Sequence, residues 1–197
     1  DTRAAEEFPV LVAAAREVGA VQIQTRGTWA GNIVNASPAA DGVPALMAYG
    51  AVVVLESRLG AEDVPLDRFY TGYKEMQRRP DQLVTGIRVP RGARDVQVFE
   101  KVGTRRAQAI AKVGLAATRG PDGWRIVASS VAPTVRRCPA VERVLAERVP
   151  IGGPDDLLPA LDADVSPIDD LRSTAAYRRH ALARVLYHAL RDHWSRA

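Results

Sequence analysis

Residues 26–57 form the segment RGTWAGNIVNASPAADGVPALMAYGAVVVLES, which passes from a polar stretch into apolar sequence. Its first part is rich in Gly, Asn and Ser and has little periodicity, which predicts a loop over residues 21–41. Asp41 stands where a helix N-cap is expected, because a carboxylate there satisfies free N–H groups of the first turn. The helix should end at Ala48, and the apolar run over residues 51–55 predicts a buried strand.

A second helix is predicted upstream of this segment. Apolar residues recur at helical spacing from Glu6 to Val18, with Val12 and Ala15 among them. Downstream, the alternating residues 83–89 predict a strand that ends at a proline. The first 90 residues are therefore expected to combine helices and strands rather than to form a purely helical domain.

A polar hinge, Arg-Gly-Ala-Arg at residues 91–94, is the best candidate for a domain boundary. We therefore predict two domains, residues 1–92 and 93–197. The second should contain three strands and three helices, at residues 96–102, 111–118, 124–131, 139–147, 155–161 and 173–194. This order predicts an α+β fold in which a small antiparallel sheet is backed by helices.

The composition excludes several classes of protein. The chain has 197 residues, of which 47% are hydrophobic and 25% charged, unlike a disordered or collagen-like chain. The sequence contains no run of about 18 apolar residues, so we predict no membrane span. Its one cysteine, Cys138, excludes an internal disulfide and a cluster or zinc site built from several cysteines of this chain. We expect a cytoplasmic protein.

The positive charge is concentrated at the C-terminal end. Residues 171–197 carry six arginines and one aspartate, a balance of +5, so the other residues sum to −1 within the total of +4. Such a helix could contact nucleic acid, but a solvated face or an ion-paired seam with Asp169 and Asp170 fits better. We therefore predict no nucleic-acid partner.

Residues 26–33 are the best candidate for a binding site. The three histidines lie at positions 180, 188 and 193, on different faces of one predicted helix, so we predict no metal site and assign no catalytic residue. Glycines around Thr28 and Asn32 let backbone N–H groups point at an anion, and the two side chains add a hydroxyl and an amide. The alternative is an ordinary turn.

The segment 26–57 resembles the second FAD-binding stretch of the flavoprotein (medium) subunit of molybdenum hydroxylases, the family of xanthine dehydrogenase and carbon monoxide dehydrogenase. Four later segments agree in the same order: RRPDQLVTGIRVP (78–90), FEKVGTRRAQAIAKVGLA (99–116), VAPTVRRCPAVE (131–142) and SPIDDLRSTAAYRRHALARVL (166–186). The resemblance implies a second FAD-binding subdomain, followed by a domain of the carbon monoxide dehydrogenase flavoprotein C-terminal type. That domain would be a three-stranded antiparallel sheet packed with helices.

The resemblance also implies a cofactor, partners and an activity. FAD would receive electrons from 2Fe-2S clusters in an iron–sulfur subunit, fed by a molybdenum cofactor in a third subunit, and pass them to an acceptor. The protein would be the flavoprotein component of an oxidoreductase. The alternative is a fragment without FAD that serves only in docking or assembly. Nothing in the 197 residues resembles the family's N-terminal FAD subdomain, so either the sequence is a fragment or an N-terminal FAD-binding segment on a separate polypeptide completes the site.

Seven residues match positions that the family uses for FAD: Thr28, Gly31, Asn32, Val34, Asp41, Val84 and Lys101. The first three match the loop beside the phosphates and the flavin. Val34 matches an apolar position that packs on the flavin ring. Val84 matches a position whose backbone faces the polar edge of the ring. Packing in the protein core would explain both valines equally well. Lys101 matches a basic residue that would favour the reduced flavin.

The sequence departs from the family's pattern in three features, which involve four positions. Its Arg-Asn pair before the loop is Gln24-Thr25 here, its second glycine is Ala30, and Trp29 replaces a smaller aliphatic residue. A methyl group at position 30 is expected to hinder a positive φ or a close approach by phosphate. Together with the absent segment, this predicts that the chain alone does not hold FAD stoichiometrically.

Overall fold

The computed structural model describes residues 2–194. In this range the α-helices are α1 (Thr2–Glu7), α2 (Pro9–Glu17), α3 (Val21–Gln24), α4 (Trp29–Val34), α5 (Gly42–Ala48), α6 (Leu66–Phe69), α7 (Pro139–Ala146), α8 (Leu158–Asp164) and α9 (Ala175–Trp194). The strands are β1 (Val52–Ser57), β2 (Gly60–Pro65), β3 (Tyr70–Gly72), β4 (Glu75–Met76), β5 (Leu83–Arg88), β6 (Val96–Val102), β7 (Val113–Gly120), β8 (Gly123–Ser129) and β9 (Arg136–Arg137). A 3₁₀ turn at Pro154–Leu157 precedes α8.

The first half is built on a small antiparallel sheet. Strand β1 lies between β2 and β5, with Val53 opposite both Val64 and Ile87. The β-branched run in β1 favours an extended backbone and fills the core, where Val53 and Leu55 are fully buried. Helices α2 and α5 contribute further residues to this first core, so the candidate FAD segment is anchored at its C-terminal end.

The second sheet separates two cores. Its order is β6-β7-β8-β9, and the row Phe99, Ala116 and Val127 faces the first core. The alternate residues Leu115 and Ile126 face a second core, because successive side chains of a strand point to opposite faces. The first half therefore packs on one face of this sheet, and α7, α8 and α9 pack on the other.

The strand positions of the α+β prediction are largely confirmed. The β7–β8 hairpin turns through residues 120–123, where Gly123 has φ +91 with open space around it, so a side chain there would be strained rather than crowded. The predicted three-stranded sheet carries β9 as a short fourth strand. The boundary between residues 92 and 93 stays a prediction.

The predicted helix from Glu6 to Val18 is two helices. Phe8 leaves the helical region, with φ −135 and ψ 57, and Pro9 begins α2. Proline lacks the N–H that a continuous helix needs and disfavours helical backbone in the preceding residue. The apolar periodicity continues through the break, so it did not reveal the change.

The basic residues of α9 lie partly in the seam that the sequence predicted. Arg178 is buried and donates to Asp170, while Arg179 pairs with Asp162. Asp170 also binds Arg172. The sixth arginine of the basic segment, Arg196, lies outside the described residues.

Candidate functional site

The predicted loop over residues 21–41 is partly helical. Helices α3 and α4 fall inside it, and Thr28 is the N-cap of α4, with its Oγ1 accepting from the Gly31 N–H at 2.9 Å. Threonine is a favoured N-cap because its hydroxyl satisfies a donor that the helix leaves free. Gly27 and Gly31 adopt no positive φ, so the irregular loop expected around Thr28 is instead the start of a helix.

The small residues around Thr28 serve close packing. A Cβ at Gly27 would lie 2.9 Å from the Ile23 carbonyl oxygen, and one at Gly31 would lie 3.0 Å from Thr28 Oγ1. Ala30 lies inside α4 with φ below zero, so its methyl group causes no backbone strain. The concern that Ala30 blocks a positive φ was wrong, because position 30 is helical.

Trp29 and Asn32 pack over Gly42, the first residue of α5. A Cβ at Gly42 would lie 2.6 Å from Trp29 Cζ3 and 2.7 Å from Asn32 Oδ1. The Asn32 Oδ1 atom is buried and has no hydrogen-bond donor. A buried carbonyl oxygen without a partner is costly, so this position has an unused capacity to accept a hydrogen bond.

Asp41 and Lys101 form a buried ion pair at the junction of three elements. Lys101 Nζ on β6 donates to Asp41 Oδ2 at 2.7 Å and to the Glu17 carbonyl oxygen at the end of α2 at 2.8 Å. Their side chains are only 11% and 6% exposed. Asp41 occupies the N-cap position of α5 but makes no side-chain cap, so its carboxylate serves Lys101 instead.

Burial raises the pKa of Asp41 to about 6, and the nearby Glu17 charge acts in the same direction. The hydrogen bond and the charge of Lys101 oppose this shift but do not cancel it. The carboxyl group of Asp41 therefore titrates close to neutral pH although it lies beside a cation.

A cleft of about 550 Å³ lies between the end of α2 and helices α3 and α4. Thr28, Gly31 and Asn32 line it, so the structure brings together the three motif residues expected beside the phosphates. The other lining residues are not among the seven predicted cofactor residues: Val12, Ala15, Arg16, Val18, Ile23, Gln24, Gly27, Trp29 and Asn35. Val12, Ala15 and Val18 belong to the apolar stripe predicted from Glu6 to Val18, and they are only partly buried.

The remaining predicted residues lie outside this cleft. Lys101 borders a smaller hollow of about 290 Å³, and Arg16 lines both hollows. Val34 is 37% exposed, whereas Val84 is partly buried against the first core. Helix α4 packs against β5, so these two valines lie on neighbouring elements. Their contacts with a flavin ring stay predictions, as do the cofactor roles of all seven residues.

Other chemistry is scarce in the part of the chain that the structure describes. Residues 2–194 hold no group of three or more His, Cys, Asp or Glu side chains suited to a metal ion. Cys138 is buried in the second core, and burial raises the pKa of its thiol, which disfavours a reactive thiolate. None of the described helices is long and apolar enough to cross a membrane.

Two family models match the chain. Residues 1–92 match the FAD binding domain in molybdopterin dehydrogenase, and residues 99–193 match the CO dehydrogenase flavoprotein C-terminal domain. Their order along the chain is the order that the sequence motifs predicted.

Individual proteins agree with these models. The chain is 29% identical over 196 residues to the carbon monoxide dehydrogenase medium chain of Hydrogenophaga pseudoflava, a match that covers 96% of this chain and 68% of that one. It is 33% identical over 152 residues to the caffeine dehydrogenase subunit beta of Pseudomonas sp. (strain CBB1), covering 74% and 51%. The chain thus spans about two thirds and about half of these relatives.

A solved structure shares the fold over the whole chain. It is the carbon monoxide dehydrogenase from Hydrogenophaga pseudoflava which lacks the Mo-pyranopterin moiety of the molybdenum cofactor. The TM-score is 0.84 at 27% identity, and the match covers 100% of this chain and 71% of that one.

Proposed function

Because this chain belongs to the FAD-binding flavoprotein family of molybdenum hydroxylases, we propose that it forms part of the flavin site of an oxidoreductase complex. In this proposal, electrons from iron–sulfur clusters of a partner chain reach an acceptor by way of the FAD. A bound flavin supplies the ability to exchange one or two electrons. The residues of this chain bind, orient and shield it.

The observation that carries the proposal is the cleft lined by Thr28, Gly31 and Asn32. Its volume of about 550 Å³ is within the range of small-molecule sites. Thr28 Oγ1 already accepts a hydrogen bond, so its O–H remains a donor for a ligand. Asn32 Oδ1 has no hydrogen-bond partner among the described residues, so a second residue of the cleft wall has an unused acceptor. The Thr28 O–H fits a phosphate oxygen, whereas the Asn32 oxygen fits an O–H or N–H group of the same cofactor.

The other four positions would complete the flavin environment. Asp41 and Lys101 form a rigid polar pair beside the smaller hollow, where a buried cation would favour a reduced, anionic ring. Val34 and Val84, on the neighbouring elements α4 and β5, would offer apolar contacts. Asp41 would hold a hydroxyl of the cofactor through the carboxylate oxygen that Lys101 does not occupy.

The partners follow from the family. Relatives bear names such as medium chain and subunit beta, and the matched crystal structure belongs to an enzyme with a molybdenum cofactor. We propose an iron–sulfur subunit and a molybdenum-binding subunit as partners. A further FAD-binding segment would cover the open side of the cleft.

A second function is an assembly or docking role without FAD. The observation in its favour is the apolar rim of the cleft, where Val21, Ile23 and Trp29 are 65%, 54% and 38% exposed. Contiguous exposed apolar surface is typical of a protein interface. The two functions differ in whether the assembled protein contains flavin.

The test is the visible absorption of the protein purified together with the partner chains that complete its FAD site. The FAD function predicts the two visible bands of oxidised flavin, or their restoration when FAD is added. Asn32→Asp should lower flavin content by placing a negative charge in the cleft, whereas Gln22→Glu adds the same charge on an exposed position of α3 outside it. A colourless protein that binds no added FAD yet still assembles with its partner chains would support the docking function.

A further inference from the structure

Arg16 is the only charged residue among those that line the large cleft. It lies in the last turn of α2, is exposed, and also borders the smaller hollow beside Lys101. Within the described residues its guanidinium group has no hydrogen bond and no acidic partner. An unpaired arginine in a cleft without acidic residues is a natural site for an anion.

The ordinary explanation for an arginine in a last turn is that it neutralises the carbonyl groups at the C-terminal end of the helix. That role is already filled in α2. Gln24 Nε2 donates to the carbonyl oxygens of Arg16 at 3.0 Å and Val18 at 3.2 Å. Lys101 Nζ donates to the Glu17 carbonyl oxygen at 2.8 Å. Three consecutive carbonyls are therefore satisfied by other side chains, which leaves the Arg16 side chain available.

The same contacts fix the place of Arg16. Because Gln24 and Lys101 hold the end of α2, the backbone of Arg16 is tied both to α3 and to β6. The Thr28 O–H is a second donor on the cleft wall. A ligand that bridges these groups must offer several acceptor oxygens and negative charge, which is the chemistry of a phosphate or pyrophosphate.

We propose that Arg16 binds the phosphate groups of a nucleotide in this cleft. This inference rests on the proposed flavin function and adds a binding residue to it. The same chemistry has two sources, the pyrophosphate of FAD itself and that of a nicotinamide dinucleotide acceptor. Binding measurements with each distinguish them.

The experiment uses the flavin-free protein combined with the segment that completes its FAD site, and measures dissociation constants for FAD, riboflavin, NAD⁺ and inorganic pyrophosphate. Trp29 fluorescence is a suitable signal because this side chain lines the cleft. Arg16→Gln should weaken FAD binding about tenfold at low salt, the effect of one exposed charge-assisted contact, and leave riboflavin binding unchanged. It should also flatten the salt dependence of FAD binding.

Two further variants separate charge from geometry. Arg16→Lys keeps the charge but loses the planar guanidinium group, so the salt dependence should persist with an intermediate loss of affinity. Arg184→Gln removes an exposed arginine of α9 that does not line the cleft and should leave all four constants unchanged. A loss of NAD⁺ affinity without a loss of FAD affinity would assign Arg16 to the phosphates of the acceptor.

Results that contradict the role of Arg16 can be distinguished from results that contradict the flavin function. Equal losses of FAD and riboflavin affinity in Arg16→Gln would overturn the inference, because riboflavin has no phosphate. Unchanged FAD and NAD⁺ affinities would overturn it as well, while FAD binding by the wild type would leave the proposed function intact. A wild type that binds pyrophosphate through Arg16 but not FAD would retain the anion site and refute the flavin function.

Discussion

The cleft at the end of α2 and the layer around α9 both contain arginines and hydroxyl or amide groups, but they use them differently. In the α9 layer, Arg178 donates to the Ser130 carbonyl oxygen and to Asp170, each at 2.6 Å. Glu142 accepts from the Ile126 N–H, and Asp164 accepts from two N–H groups at the start of α7. Each of these charged side chains has a partner inside the protein, although the Arg178 Nε–H group itself has no acceptor in the described part of the chain.

Three groups in the cleft have hydrogen-bonding capacity that the described part of the protein does not use. The Arg16 side chain has no partner among the described residues, Asn32 Oδ1 is unsatisfied, and the Thr28 O–H remains a donor. Charges bound within a fold stabilise it, whereas donors and acceptors left unused on a concave surface are available for a ligand. The contrast predicts that substitutions in the α9 layer change stability, and that substitutions in the cleft change binding.

The largest expected effect is the loss of stability in Arg178→Met. The side chain is 4% exposed, and its removal leaves the Ser130 carbonyl without its donor and takes the buried half of the ion pair from Asp170, which keeps only Arg172 as a cation. Breaking a buried ion pair costs about 4 kcal/mol of unfolding free energy. Denaturant unfolding should show this loss, while the affinity for FAD stays that of the wild type.

Arg184→Met is the matched control, since Arg184 is exposed on the same helix. It should change the free energy of unfolding by less than about 0.5 kcal/mol. If Arg178→Met kept full stability but lost flavin, the assignment of the α9 layer to structure would be wrong.

The next effect concerns Asp41, which lies between the two regions. The pKa of this carboxyl group is about 6 in the fold and 3.8 in an unfolded chain, so the folded state binds the extra proton between these values. The stability contributed by Asp41 should therefore fall as the pH rises from 4 to 7, by about 3 kcal/mol for such a shift.

The measurement is the free energy of unfolding of wild type and Asp41→Asn across this range. The asparagine variant removes the titration, so the difference between the two proteins should follow a single proton with a midpoint between pH 4 and 6. A difference that does not vary with pH would show that Asp41 is ionised throughout and that Lys101 dominates.

A third effect joins packing to binding at Gly42. A methyl group there would meet Trp29 Cζ3 at 2.6 Å and Asn32 Oδ1 at 2.7 Å, and both side chains line the cleft. Gly42→Ala should cost about 2 kcal/mol through overpacking and also weaken FAD binding, because Trp29 and Asn32 must move. Gly153→Ala, in open space, should change neither. Unchanged FAD affinity in Gly42→Ala would place the ligand away from these two side chains.

How well the sequence predicted these regions depends on the range of the interactions. The strand over residues 96–102 and the 120–123 turn follow from β-propensity and turn chemistry, which are local. The break at Pro9 was also encoded locally but was hidden by apolar residues that continue the helical period. The predicted cofactor roles of the seven residues rest on the order of the sequence motifs and not on hydrophobic periodicity.

The site shows where local reasoning fails. Asp41 had the right residue type and position for an N-cap, yet its carboxylate binds Lys101, sixty residues later in the chain. Predicting that Asp41 binds Lys101 instead of capping α5 requires knowledge of which strand lies beside this helix. Arg16 was missed for a similar reason, because Gln24 and Lys101 occupy the carbonyls that an isolated helix would leave for it.

The smallest expected effect on stability is at Thr28, and it gives the sharpest division between capping and binding. Thr28 caps α4 through its oxygen, so Thr28→Ala should cost about 1 kcal/mol, whereas Thr28→Ser keeps the cap and the hydroxyl donor. Thr28→Asp also keeps a capping oxygen, and a negative charge is favourable at a helix start, so its stability should equal that of the wild type. Aspartate cannot donate a hydrogen bond, however, and its charge would face the phosphates of a nucleotide beside Arg16. We therefore expect FAD affinity to fall more in Thr28→Asp than in Thr28→Ala, although the aspartate variant is the more stable protein. Thermal unfolding and FAD titration of the three variants measure the two properties separately. An order of FAD affinities that follows the order of stabilities would mean that Thr28 acts on the cofactor only by holding α4 in place.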